Sequence, residues 1–172
     1  MRRLSYTVVV AAAMLLTLHA VRAEENEEQE EREGLMKAMA GVKISLAEAV
    51  TAATASGTVI SAKFEVEDGP LQLSVYSEKG GKFSEVIVDH QTGKVVKTEP
   101  ITEGEDLTEA KAQSDAMAKA KLSLKAVIEK VVSANKGFTV VSATPKLRDG
   151  HPVAAVELLK GQEWKTVTEK LD

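Results

Sequence analysis

Ile44-Ser45-Leu46-Ala47-Glu48-Ala49-Val50, with Gly57-Thr58-Val59-Ile60-Ser61-Ala62 close behind it, decides the fold because the chain carries both stretches twice. The first returns as Leu122-Ser123-Leu124-Lys125-Ala126-Val127-Ile128. Val59-Ile60-Ser61-Ala62 returns as Val140-Val141-Ser142-Ala143, displaced by three positions more than the helix, so the second copy carries an insertion between helix and strand. Asp68-Gly69-Pro70 is matched by Asp149-Gly150-His151-Pro152, and Phe83 with Val86 by Trp164 with Val167. A repeat that keeps its turn and its apolar positions through an insertion signals a repeated supersecondary unit.

Each unit reads as one short helix followed by a meander of strands. Ser45-x-x-Glu48 is a capping box, and Leu46, Ala49, Val50 and Ala53 fall on one helical face. Gly57 ends the helix. From Val59 the period becomes two: Ile60, Ala62, Phe64 and Val66 point one way, Ser61, Lys63 and Glu65 the other, as in a half-buried antiparallel strand. Asp68-Gly69 predicts a hairpin. Leu71, Leu73 and Val75 continue the apolar face, and Lys79-Gly80-Gly81-Lys82 turns the chain into a third strand over 83–89. Thr92-Gly93 introduces a fourth over 94–98. Phe83 and Val86 alternate onto opposite faces, as do Trp164 and Val167, and a bulge in each copy would bring them together.

Residues 100–107 read as an acidic linker. Asp106 or Thr108 caps a helix through Gln113, and the residues leave open whether it runs on without a break into the second repeat helix, where Leu124, Val127, Ile128, Val131 and Val132 form the apolar stripe and Gly137 the stop. Strands are expected over 138–147, 152–160 and 163–171. Pro145 stands where the first copy has Phe64; without an N–H it marks that strand as an edge or as bulged.

The 172 residues are 44% apolar, 28% charged and 3% aromatic, with no cysteine. That composition suits one medium globular domain or two small ones. Met1-Arg2-Arg3, an apolar run over 8–18 and Val21-Arg22-Ala23 read as a secretory signal cleaved after Ala23. The run is shorter than the roughly 20 residues a membrane span needs. Removal of residues 1–23 takes three Arg from the 22 Lys and Arg and leaves the 26 Asp and Glu untouched. The acidic remainder excludes a phosphate-binding basic face and an anionic membrane surface. An exported chain without cysteine depends on core packing rather than disulfides. Glu24 to Glu33, with seven glutamates, reads as a disordered or frayed helical tail in a flexible leader over 24–42, where Leu35 to Val42 allows a turn or two of helix before the repeat.

Several of these residues resemble the PepSY domain: Ser45-Leu46-x-x-Ala49, Gly57-x-Val59-x-Ser61-Ala62, the Asp-Gly turn and, most specifically, Val86-x-Val88-Asp89-x-x-Thr92-Gly93-Lys94-Val95. The likeness runs through the whole of the first copy; the second stops short of an Asp-x-x-Thr-Gly-Lys-Val hairpin. It implies an α+β fold of two tandem PepSY-like units, each a helix on a small antiparallel sheet. The units occupy 43–99 and 108–172, the second with its preceding helix. Such domains occur in propeptides of thermolysin-type peptidases and in small exported bacterial proteins. The family is linked to inhibiting or chaperoning peptidases and supplies no catalytic residues to carry over. Asp89, Thr92, Gly93 and Lys94 are its motif residues here, and a turn accounts for all four. A unit of roughly 60 residues buries only about 60% of its unfolded surface, so two that share a core or abut their sheets make the stable form.

Catalytic constellations do not stand out. His90 and His151 sit at turns outside any nucleophile motif and lack zinc-ligand spacing. Gly80-Gly81 lies between strands, not ahead of a helix. Glu65 and Glu67 read as a charged strand face that discourages aggregation. Trp164 reads as core or junction, or with His151 as a partner contact. The expectation is a non-enzymatic, periplasmic or secreted binding module without a cofactor. It would offer a sheet face or strand edge to a protein or peptide, in particular a peptidase. Two other classes stay open. A metal- or small-ligand-responsive protein would use the acidic tail or the groove between repeats, and metal response requires His90, His151 and carboxylates to converge; an assembly domain would pair its sheets.

Overall fold

The computed structural model of the chain describes residues 29–66 and 69–172. The expected signal over 1–23, its cleavage point and residues Glu67 and Asp68 lie outside the described residues. Helix α1 covers 29–39, within the stretch read as a flexible acidic leader. Its Leu35 and Met39 pack against the core, so apolar anchoring outweighs the charge of this helix's first turns.

Helix α2 (Leu46–Ala53) begins with the capping box. The Ser45 hydroxyl accepts from the Glu48 amide at 3.3 Å, and the Ser45 amide donates to the Glu48 carboxylate at 2.7 Å. A 3-10 turn (Thr54–Ser56) and Gly57 then deliver the chain into β1 (Thr58–Glu65). Strands β2 (Gln72–Lys79) and β3 (Lys82–Val88) are joined through Gly80-Gly81, both with positive φ, as a type I′ turn requires. Strand β4 (Val95–Ile101) and helix α3 (Gly104–Ala118) come next. Helix α4 (Leu124–Ala134) is capped by Ser123, whose hydroxyl accepts from the Ala126 amide. Strands β5 (Thr139–Arg148), β6 (His151–Lys160) and β7 (Glu163–Lys170) complete the chain.

The class is α+β, as expected, but the strands form one antiparallel sheet in the order β4-β3-β2-β1-β5-β6-β7, not two small ones. The halves meet at β1 and β5, which pair through Ala62 with Ala143 and Lys63 with Ser142. Helices α2 and α4 lie side by side on one face. They close a core of Leu46, Val50, Leu124, Ile128, Phe64, Leu73, Val75, Val86, Val156 and Leu158, among others. Helix α3 packs on the other face, where its Gln113 accepts from the Ser61 hydroxyl at 2.6 Å.

Several expectations are corrected. The bulges are not at Phe83–Val86 or Trp164–Val167, whose ladders run without interruption. Two lie in β1 between Val59 and Ser61 and in β5 between Val140 and Ser142, equivalent places in the two halves, and a third irregularity falls in the β3–β4 ladder between Ile87 and Val88, where Val96 is left without a partner. The extra residue shifts the alternation, so Val59 and Val140, not Ile60, join the core under α2 and α4. Phe83 and Trp164 therefore face away from that core. The continuity that the residues left open is decided: α3 and α4 are separate helices, because the amides of Lys121 and Leu122 donate to the Leu171 carbonyl at 2.7 and 3.0 Å and cannot continue a helix. Helix α3 starts with Glu103 as N-cap, not Asp106 or Thr108, and its side chain makes no capping bond. The linker shrinks to Thr102 and Glu103, since β4 extends through Pro100. β5 is the strand beside β1, not an edge; buried Pro145 lies beyond the last β1–β5 pair, where no ladder on that flank needs its N–H.

Candidate functional site

The family-like motif is a turn built by its own residues. Asp89 Oδ1 accepts from the amides of Gln91 (2.9 Å) and Thr92 (2.7 Å), and the Gly93 amide donates to the Asp89 carbonyl at 2.8 Å. The two amides, Thr92 first, hold the Asp89 carboxyl below the usual carboxylate range. The neighbouring His90 carbonyl accepts from the amides of Lys43 and Ile44 at 3.0 and 3.3 Å. The turn thus anchors the segment that leads into α2. Asp89, Thr92, Gly93 and Lys94 are brought together, and what they do together is close the β3–β4 hairpin.

That hairpin presents the most exposed strand of the fold. Among the described residues β4 pairs with β3 alone, and every residue from Val95 to Pro100 is exposed. Val95 is 44% and Val96 67% accessible, high values for valines in a strand. The hydrogen-bonding sense follows from the hairpin before it. The two-residue Gly80-Gly81 turn makes Lys79 and Lys82 a hydrogen-bonded pair, and the pairs then alternate. Val86 opposite Thr98 and Ser84 opposite Pro100 are consequently wide pairs, so Thr98 and Pro100 turn their backbone groups outward. Pro100 costs β3 no bond, which is why an edge strand tolerates it. The edge carries the Lys97–Glu99 ion pair at 2.7 Å on one face.

A second feature is an apolar groove of about 450 Å³ between α2 and α4. Ala47, Thr51, Ile128, Val132 and Phe138 line it, with Glu48, Lys125 and Glu129 at its rim. Its size falls within the range of ligand clefts. A groove between the repeats is expected from the sequence, without its lining residues; Val132, which continues the α4 stripe, is 42% exposed beside it.

Trp164 and His151 do not form one surface. Trp164 is half-buried, with the Arg32 guanidinium of α1 5.6 Å from its ring centroid, so it holds the junction between α1 and the sheet. His151 bonds Asp172 at 3.1 Å and thereby holds that carboxyl below the usual range. Trp164 pairs with Leu159, eight residues along β6 from His151, or roughly 27 Å at strand rise. Nor do the histidines converge. His90 follows β3 and His151 opens β6, four strand spacings apart, which is roughly 19 Å. Among the described residues no three His, Asp or Glu side chains are grouped to hold a metal ion. Glu65 pairs with Lys63 on the face away from the core. Among the described residues no helix is long and apolar enough to cross a membrane.

Residues 43–99 match the family model described as peptidase propeptide and YPEB domain, PepSY. The matched segment opens just before α2 and closes within β4, so it contains the capping box, the Asp89 turn and most of the exposed edge. No curated protein and no solved structure matches the chain.

Proposed function

With residues 43–99 a PepSY domain, a module of the peptidase-propeptide type, we propose that this protein is a non-enzymatic, exported module that holds a protein or peptide partner, a peptidase first, along β4. One observation carries the reading: within the matched segment, the outermost strand has outward backbone groups with no strand beside them among the described residues, and its valines lie in solvent. An extended peptide added there gains main-chain hydrogen bonds from the outward groups and apolar contact from Val95 and Val96. The middle of the sheet is less available, because α2 and α4 occupy one face and α3 crosses the other. The signal read over 1–23 would place the protein in the periplasm or outside the cell. The same segment is expected to be cleaved after Ala23.

The test is inhibition. The purified protein is added to a thermolysin-type peptidase and to peptidases of the envelope, and peptide hydrolysis is followed. Wild type is expected to lower the rate. Thr98→Pro removes an outward N–H while sparing the β3 ladder, so it should lose inhibition at nearly unchanged melting temperature. Equal inhibition by Thr98→Pro, or none by wild type, would overturn the reading.

A further inference from the structure

The β4 edge is complementary to itself. Its sequence is Val95-Val96-Lys97-Thr98-Glu99-Pro100-Ile101. Reversed about Thr98, it sets Lys97 against Glu99 on both sides of the axis; the regular part of the strand runs from Lys97 to Ile101, because the β3–β4 register slips at Val96. We propose that two copies of the chain associate by antiparallel pairing of their β4 strands about a two-fold axis at Thr98, joining two seven-stranded sheets into one. The inference rests on the edge alone and stands apart from the peptidase reading. Since both use β4, the two associations exclude each other.

The geometry favours this register over its neighbours. Thr98 directs its N–H and C=O outward, so the two Thr98 residues can exchange both bonds across the axis. Lys97 and Glu99 share one face, as their ion pair shows, and are 60% and 47% accessible. In the pairing each stands opposite its counter-charge in a wide pair, the arrangement that brings side chains closest, and the four charges form a network. A shift to an axis at Lys97 sets lysine against lysine. A shift to an axis at Glu99 sets glutamate against glutamate. Like charges directly opposite are destabilising, so both shifted registers are penalised. Pro100 brings a carbonyl but no donor, which limits how far the ladder extends. A two-fold pairing also closes on itself and does not propagate through β4.

Sedimentation equilibrium of the full protein, without any peptidase, tests the pairing directly. Wild type is expected to show a reversible monomer–dimer equilibrium. Lys97→Glu and Glu99→Lys each convert two attractive contacts into two repulsive ones and should raise the dimer Kd by about tenfold or more. An equimolar mixture of the two variants should recover the dimer, because glutamates then face lysines again. Circular dichroism checks that each variant is folded, which substitution of exposed side chains should permit. Wild type that remains monomeric up to millimolar concentration overturns the proposal. So does a dimer that both single variants leave unchanged. The same variants assayed for peptidase inhibition keep the two readings separate, since loss of one activity does not entail loss of the other.

Discussion

Gly57 is where a single methyl group should cost the most. It ends the helical turn after α2 and enters β1 with φ of 149°, a backbone that L side chains rarely adopt. A Cβ there would land on the Glu78 carbonyl oxygen, 2.9 Å from the Glu78 carbonyl carbon and 3.1 Å from Lys79 Cβ. The obstacle is the backbone of the paired strand β2, which cannot swing aside as a side-chain tip would. Gly57→Ala thus adds backbone strain of about 1–3 kcal/mol to an overpacking cost of about 1–3 kcal/mol. Out of a typical total stability of roughly 5–15 kcal/mol, a loss of about 2–6 kcal/mol is severe. Gly80→Ala is the control, because its φ is 61° and nothing lies within 4 Å of the added carbon. It should cost only the left-handed penalty of about 1–2 kcal/mol. Urea unfolding followed by far-ultraviolet circular dichroism measures both. If the two alanines cost the same, or Gly57→Ala costs less than about 1 kcal/mol, the close approach of β1 to β2 is not the constraint described.

Three further outcomes are expected. Ser45→Ala should lower stability by about 1–2 kcal/mol and Ser123→Ala by less, since only Ser45 works in a reciprocal box. The Glu48 carboxyl is held below its usual range mainly by the Ser45 amide. Its stabilisation is therefore complete above the ordinary carboxylate range and lost as pH falls through the depressed value, so the gap between wild type and Glu48→Ala in thermal melts should narrow in acid. Asp89→Ala frees the amides of Gln91 and Thr92, which should exchange with solvent faster while β5–β7 amides keep their protection; unchanged exchange would count against the turn as the motif's role. Leu35→Ala weakens the seat of α1 beside Trp164, at about 1–2 kcal/mol because Leu35 is only partly buried. The emission of the single tryptophan should shift to the red, and an unshifted spectrum would place the docking of α1 elsewhere.

Local features are the ones legible in the residues. The Ser45–Glu48 cap, the Gly80-Gly81 turn and the Asp89–Gly93 turn each close through bonds within four residues, so residue type alone specifies them. Trp164 and His151 share no such local bond, and the length of the β6–β7 hairpin separates them. The groove between α2 and α4 could be expected between the repeats, but its lining could not be read from the sequence, because it comes from helices in opposite halves of the chain.

By itself the sequence determined the class and most strands, the helix start of α2, and the turns at Gly80-Gly81 and Asp89–Gly93, because periodicity and caps act over a few residues. Alternation states that a face is buried but not against what. Only the tertiary structure decided that β1 and β5 fuse the halves into one sheet, since that pairing joins Ala62 to the distant Ala143 with no local signature. It decided that α3 crosses the face opposite α2 and α4, and that the Leu171 carbonyl separates α3 from α4. It also left β4 at the rim, because strand order, set by which long-range pairs win, determines which backbone groups remain unpaired.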